Sequence, residues 1–457
     1  MERRQEILYS SENLLVRKSK GLDPDRWVIT FDHYGITGHF DRPGFAEEFL
    51  AARGISFLTV LARGNDWYQY PDIHDALAAA RAVTVGRSRV MTYGSSMGGY
   101  AAIRFADMLG AHACLAISPQ YSVDRRKVPF EWRWRQDARR IVWRPELNGA
   151  IRCAANPVIV HDPHGGDGLH VHLIARDIAC QPIALPHSAH PATTYLQSIG
   201  ALSDLVLAIL HDRFDLAAFT HALDAPRKTD PVYLCELARR QPVWRPELGI
   251  ALARRALERA PNTDLMFHVL ASKLVEAGRY REALPLHARA AELSGDLLCY
   301  ALPHAWALAQ SGDIAAALTK VGQLAVRHPD NAYLHHVLGQ ILATSPRRGE
   351  AVAMARYVCR LSPDDPFYRA VLIDYRRARL RRCVRRLWQL AGKLRDRLAG
   401  LAALACTASR WSAMASARSR PVRWRRYPIG RSSGIRGQAG PNAEARSPTA
   451  RTSSRQP

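Results

Sequence analysis

The sequence predicts an α/β chain: a mostly parallel sheet with helices on both faces, followed by an all-helical repeat array and a basic tail. Three observations predict it. Over roughly the first 210 residues, short apolar, β-branched runs alternate with helical patterns. From about residue 246 to 382 the strand-like runs stop, and turn-formers recur every 34 positions. From Arg376 onward the chain carries 21 Lys and Arg against two acids, Asp396 and Glu444.

The strand candidates are 27–31, 55–61, 90–93, 113–117, 157–160 and 181–185, with helical patterns at 43–53, 73–82 and 100–109. The runs are continuously apolar rather than alternating, which marks strands buried on both faces. Strand–helix alternation then implies parallel pairing with crossover helices. Residues 7–18 read as an added antiparallel edge hairpin. This first domain is expected over 1–215.

A second domain is expected over 246–380. Pro261, Gly295, Pro329 and Pro363 are each 34 residues apart; Gly278, Gly312 and Pro346 keep the same period, as do Ala283, Ala317 and Ala351. A lone helix pair cannot bury its apolar face, so such pairs must stack. The period, with turn segments such as Gly278-Arg279-Tyr280-Arg281-Glu282-Ala283, resembles the tetratricopeptide repeat. That resemblance implies a protein partner held by the repeats. The remainder, 381–457, reads as a basic helix to about Cys406 followed by an Arg/Ser/Pro/Gly-rich stretch that cannot offset its ordering entropy and is expected to be disordered.

Charge follows the same partition. The segment from Arg376 holds +19 of the net +23, leaving +4 for the first 375 residues. The tail favours nonspecific attraction to polyanions and weak contact with an anionic membrane. It has no recognisable nucleic-acid fold, so no specific nucleic-acid partner is expected. The eight Cys are scattered without CxxC spacing, which argues against a disulfide framework or a structural metal and fits a reducing cytosol. The charged N-terminus lacks the apolar core of a signal peptide, and no apolar stretch of about 20 residues is present. A cytoplasmic location is expected.

The chemistry centres on Gly94-Ser95-Ser96-Met97-Gly98-Gly99, between the run at 90–93 and the helical pattern from Tyr100. A GxSxG between strand and helix is the setting of a nucleophile elbow, which lifts the middle serine, Ser96, above the sheet. The helix N-terminus behind it aims free N–H groups at developing negative charge. Ser95 is the rival hydroxyl, off the motif's centre. A serine nucleophile needs a base, and the base an orienting acid. His161-Asp162-Pro163-His164-Gly165-Gly166-Asp167 follows one strand run; Pro186-His187-Ser188-Ala189-His190-Pro191 follows the next. Both lie where ligands bind in open parallel sheets, outside the strand C-termini.

At this point the chain resembles the α/β-hydrolase superfamily over roughly 25–210. More narrowly, it resembles bacterial hydrolase-like proteins with a GSSMGG elbow, an Asn65-Asp66-Trp67-Tyr68 segment and a His190-Pro191-Ala192 loop, some fused to tetratricopeptide repeats. It is distantly similar to hydrolase-fold accessory secretion proteins that act on glycans. The resemblance implies the order nucleophile, acid, base. Asp167 is preferred over Asp162 because it sits further into the loop, and His190 over His187 because it precedes a helix. The oxyanion hole is assigned to the backbone N–H of Met97 and of Tyr34, with His33 as the alternative to Tyr34. No HGGG loop is present. Asp66 and Trp67 are candidate substrate contacts. Residues 128–143 occupy the position of a lid, and their Arg/Trp alternation suits an anionic or sugar-bearing substrate as well as an ordinary amphipathic cap. His161, His164, His170 and His172 fit no tight metal-ligand spacing, so neither metal nor cofactor is expected.

Three readings follow: a serine esterase or carbohydrate deacylase, with acyl transfer as the same chemistry on another acceptor; a non-catalytic hydrolase-like scaffold whose repeats bind a partner protein; and a polyanion or membrane binder acting through the basic tail.

Overall fold

A computed structural model describes residues 5–36, 38–363 and 365–405; the tail expected to be disordered, beyond Ala405, lies outside the described residues. The first domain is one eight-stranded sheet: β1 (Glu6–Ser10), β2 (Leu14–Ser19), β3 (Arg26–Phe31), β4 (Ser56–Ala62), β5 (Arg89–Ser95), β6 (Ala113–Ile117), β7 (Val158–His161) and β8 (Gln181–Ala184), in the order β1-β2-β4-β3-β5-β6-β7-β8. The hairpin expected over 7–18 is β1 and β2, antiparallel to each other and, through β2, to β4. All other pairs are parallel. Every residue of β4 and β6 is buried, which is why their sequences run apolar without alternation.

Two cores flank the sheet. On one face Ile73, Ala76, Leu77 and Ala80 of the helix Ile73–Thr84 pack with Tyr100, Ala101 and Ile103 of the helix Met97–Arg104. On the other, Leu50, Tyr195, Leu196, Leu205 and Ile209 cover β3, β5 and β6. This second core continues without a break into Val232, Leu234, Cys235, Ile250, Met266 and Leu270 of the helical region. Burying one such aliphatic side chain contributes about 1.5–3 kcal/mol, so the two regions meet through a shared core, not a loose linker.

The helical region is a tetratricopeptide-like array of antiparallel pairs: Pro231–Arg240 with Pro246–Arg259, Asp264–Glu276 with Tyr280–Leu293, Leu298–Ser311 with Ile314–Arg327, and Ala332–Thr344 with Ala351–Leu361, then the long helix Pro366–Ala405. The pairing thus begins at Pro231, ahead of the 246 from which the sequence period was read. Ala283, Ala317 and Ala351 are buried where helices cross. Gly278 (φ 77°) and Gly312 (φ 100°) end their helices in the left-handed region. At the third such position stands Pro346, which cannot adopt that conformation. The chain instead leaves the helix extended at Ser345 (φ −88°, ψ 170°) and takes a longer path to Ala351. Asp230, Asp313 and Asn331 cap their helices by accepting the backbone N–H of Tyr233, Ala316 and Leu334.

Among the described residues no helix is long and apolar enough to cross a membrane.

Candidate active site

The turn after β5 places Ser96 at φ 53° and ψ −118°, a conformation costly for any residue but glycine. The neighbouring glycines make it possible. A Cβ on Gly94 would sit 2.1 Å from the carbonyl oxygen of Gly98, and one on Gly98 would sit 2.4 Å from that of Phe31. The elbow is therefore pressed against the end of β3, with the Ser96 N–H held by the carbonyl of Ile117 at 2.8 Å. The helix begins directly at Met97 rather than near Tyr100 and breaks at Phe105.

Ser96 Oγ lies 3.0 Å from His190 Nε2, and His190 Nδ1 lies 2.7 Å from Asp167 Oδ2. A carboxylate only accepts, so Nδ1 carries the ring proton and Nε2 is left to accept from the serine hydroxyl. Asp167 stands in the first turn of the helix Gly166–Asp177 and is buried. Burial opposes its ionisation, but the charge and hydrogen bond of His190, and then those of Arg133, hold it well below the usual carboxylate range. Asp162 is turned elsewhere: it accepts the N–H groups of His164 and Ala189 and pairs with Arg240 of the array at 2.8 Å. Ser95 is also spent, its hydroxyl 2.7 Å from that of Thr193. His187 packs against His164 and Tyr233, away from the serine. His161 is pulled down by burial. Among the described residues no three His, Cys, Asp or Glu side chains group to hold a metal ion.

The loop after β3 borders the site. The Tyr34 ring lies 5.8 Å from Trp67 and 6.0 Å from Trp134, and the Trp134 ring lies 5.3 Å from that of His190. Tyr34 OH is tied to Asp137 at 3.1 Å, and His33 Nδ1 turns back to the Tyr34 carbonyl.

The two candidate substrate contacts are occupied by internal work. Trp67 is fully buried, so it presents no surface to a ligand; its Nε1 donates to Gln120 Oε1 at 3.1 Å. Asp66 accepts from Tyr70 OH at 3.0 Å and closes its own loop. The stretch 128–143 holds only the short helix Arg135–Arg140, in an otherwise irregular crossing between β6 and β7.

Several residues of the site were not singled out by sequence reasoning. Gln120, fully buried three residues past the end of β6, directs Nε2 toward Ser96 Oγ at 3.4 Å. Its orientation is fixed, because the Trp67 N–H can only donate and must meet the amide oxygen. The signal was its place beyond a strand's C-terminal end. Arg133 donates from Nη1 to Asp167 Oδ1 at 2.7 Å and forks onto Glu131, whose carboxylate also meets His170 Nε2 at 2.8 Å. Burial opposes the ionisation of Glu131, yet His170 and Arg133 bring it down to about 2.

No family model matches the chain, and no curated protein matches it. Among solved structures it is similar to a thermophilic TPR protein of Thermus thermophilus, at 20% identity over 38% of this chain and 96% of that one, TM-score 0.31. It is similar to YrrB, a TPR protein with an unusual peptide-binding site, at 17% identity over 40% and 97%, TM-score 0.30. It is also similar to the capsule O-acetyltransferase of Neisseria meningitidis serogroup A, at 12% identity over 45% and 95%, TM-score 0.33.

Proposed function

We propose that this chain is a serine hydrolase of the esterase or carbohydrate-deacylase type, with Ser96 as nucleophile, His190 as base and Asp167 as orienting acid. One observation carries the reading: an unbroken hydrogen-bonded line from Ser96 Oγ through His190 to Asp167, set on a turn held at positive φ. Ser96 Oγ attacks the ester carbonyl as its proton passes to His190 Nε2. The oxyanion is received by the backbone N–H of Met97, at the helix start, and that of Tyr34. Collapse breaks the ester C–O bond, and the leaving alcohol takes the proton from His190. Water, or an acceptor hydroxyl in an acyl transfer, then gives its proton to His190 as its oxygen bonds to the acyl carbon; collapse breaks the acyl–Ser96 bond and His190 returns the proton to Ser96 Oγ. Asp167 stays ionised throughout and stabilises the imidazolium.

Trp132, Arg139 and Arg140 are exposed on the same crossing segment as Trp134 and would suit a sugar or anionic group on the ester. The array is assigned the binding of a partner protein, as stacked helix pairs leave an extended surface beyond the shared core. A cytoplasmic location goes with this reading.

A fluorophosphonate probe tests it. Labelling of the purified chain is expected to vanish in Ser96→Ala and to slow strongly in His190→Ala. Folded wild type that takes no label would overturn the assignment.

A further inference from the structure

Three consecutive residues of the crossing segment grip three separate parts of the molecule. Arg133 holds the free oxygen of Asp167 at 2.7 Å. Trp134 sets its ring 5.3 Å from that of His190 and carries the Arg133 guanidinium on its face at 4.4 Å. Arg135 reaches Asp365 of the array at 3.2 Å. We propose that Arg133 and Trp134 are positioning residues for the reaction, a strap that fixes the acid and the base of the triad from outside the sheet. This rests on the triad reading above.

The geometry favours positioning over simple charge burial. Asp167 has two oxygens and two donors, one on each side, so its carboxylate plane is fixed only while Arg133 is present. Arg133 is itself immobilised by the Glu131 carboxylate, and Glu131 by His170. His170 Nδ1 accepts the Tyr121 N–H at 3.2 Å, so its proton sits on Nε2 and points to Glu131; burial keeps the ring neutral. The cluster thus holds two carboxylates, one guanidinium and the neutral His170 imidazole, with His190 facing Asp167. Its single uncompensated negative charge is the one the His190 imidazolium neutralises in the transition state. The remaining charged or titratable groups nearby are engaged or distinct: Asp137 with Tyr34, Asp162 with Arg240, His187 with His164 and Tyr233, and His161 at the end of β7.

The bland alternative is that Arg133 serves only to neutralise buried Glu131. Two variants separate the cases, read by the pH profile of hydrolysis of a short p-nitrophenyl ester. Arg133→Met leaves Asp167, against His190, and the neighbouring Glu131 without their shared cation. Its kcat is expected to fall about 30- to 100-fold with little change in KM, and the acid limb of kcat/KM to move up by about one pH unit. Glu131→Gln with Arg133→Met removes both charges of that pair, so no carboxylate is stranded and the fold is retained. There the acid limb is expected to return, while kcat stays at least about tenfold down because Asp167 remains unanchored. Trp134→Ala is expected to lower kcat without moving the limb. A double variant, folded by circular dichroism, that recovers wild-type kcat overturns the proposal and leaves the triad standing. Folded wild type without Ser96-dependent activity overturns the triad reading and this inference with it.

Discussion

Asp167→Asn is the sharpest perturbation of the site, because its outcome is decided by a neighbour. The native carboxylate accepts on both sides, from His190 Nδ1 and from Arg133 Nη1, each at 2.7 Å. An asparagine has one acceptor oxygen and one donor amide. Arg133 is permanently charged and only donates, so the carbonyl oxygen must face it and the NH2 must face His190. His190 then accepts at Nδ1 and carries its proton on Nε2, the nitrogen 3.0 Å from Ser96 Oγ. In that tautomer the ring donates to the serine and cannot take its proton. The same tautomer error in the serine-protease triad costs about 10⁴ in kcat, or about 5.4 kcal/mol of transition-state stabilisation. A comparable loss is expected here in kcat/KM for a short p-nitrophenyl ester, measured between about pH 5 and pH 9. The fold should survive, since Arg133 keeps its fork on Glu131. The linkage sign is that of a depressed carboxylate. The stability Asp167 supplies is present above its unfolded pKa of about 3.9 and is lost as pH falls through the lower folded value. The wild-type advantage in Tm should therefore close only below about pH 4. A folded Asp167→Asn protein with less than about a tenfold loss would refute the assigned tautomer and the role of Arg133 in setting it.

Gln120→Ala removes the amide aimed at Ser96 Oγ and unpairs the Trp67 N–H; kcat for the same ester is expected to fall about tenfold, less than the roughly 10²–10³ for loss of an oxyanion-hole donor because the amide meets the serine hydroxyl instead. In the array, burial brings His268 and His336 down to about 4 and His287 to about 3, so they fold neutral. The unfolded chain then binds more protons between about pH 6.5 and pH 4, and stability is lost as pH falls through that window, by a few kcal/mol per residue at about 1.36 kcal/mol per unit. Thermal melts should show the slope, and His336→Gln should flatten it. A chain cut after residue 215 is expected to aggregate or melt well below the full chain by calorimetry, because it exposes the part of the shared core where the helix Thr193–Ser198, with Tyr195 and Leu196, packs on the helix Pro231–Arg240.

Much of this was legible because the governing constraints are local. The sharp turn at Ser96 could be read from six residues, since its sterics act between Gly94 and Gly98 themselves and the end of the adjacent strand. The array could be read because each repeat must present the same small residues at the same crossing. Which of Asp162 and Asp167 would face His190 was harder to read. It depends on where the helix starts after the loop, and Gly165, at φ 130°, starts it so that Asp167 falls in the first turn. Trp67 stands as only a candidate substrate contact in the sequence, because an aromatic beside Asn and Asp reads alike whether exposed or buried. Tyr34, Trp134 and Gln120, all from remote segments, are among the residues packed on it. Arg133 had no local signal at all, as its partner Asp167 is 34 residues away and no periodicity connects them.

The attachment of the array bears on how the site is held. The loop carrying Asp162 and His164 is pinned by Arg240, which meets the Asp162 carboxylate and the His164 carbonyl, each at 2.8 Å. The loop carrying His190 meets the same helix through His187 and Tyr233, with ring centroids 5.5 Å apart. At the far end of the array Asp365 takes Arg135, next in the chain to Trp134. Each of the three segments that bring Asp167, His190 and Arg133 toward Ser96 therefore has a partner on the array. Arg240 with Asp162 is the strongest of these ties, since the carboxylate is buried and would be stranded without its guanidinium. The Arg135 contact, half in solvent, is worth at most about 1 kcal/mol and is the joint that yields first. Its loss would leave Arg133 on Asp167 and Glu131, so the array holds the site chiefly through the loop that carries Asp162.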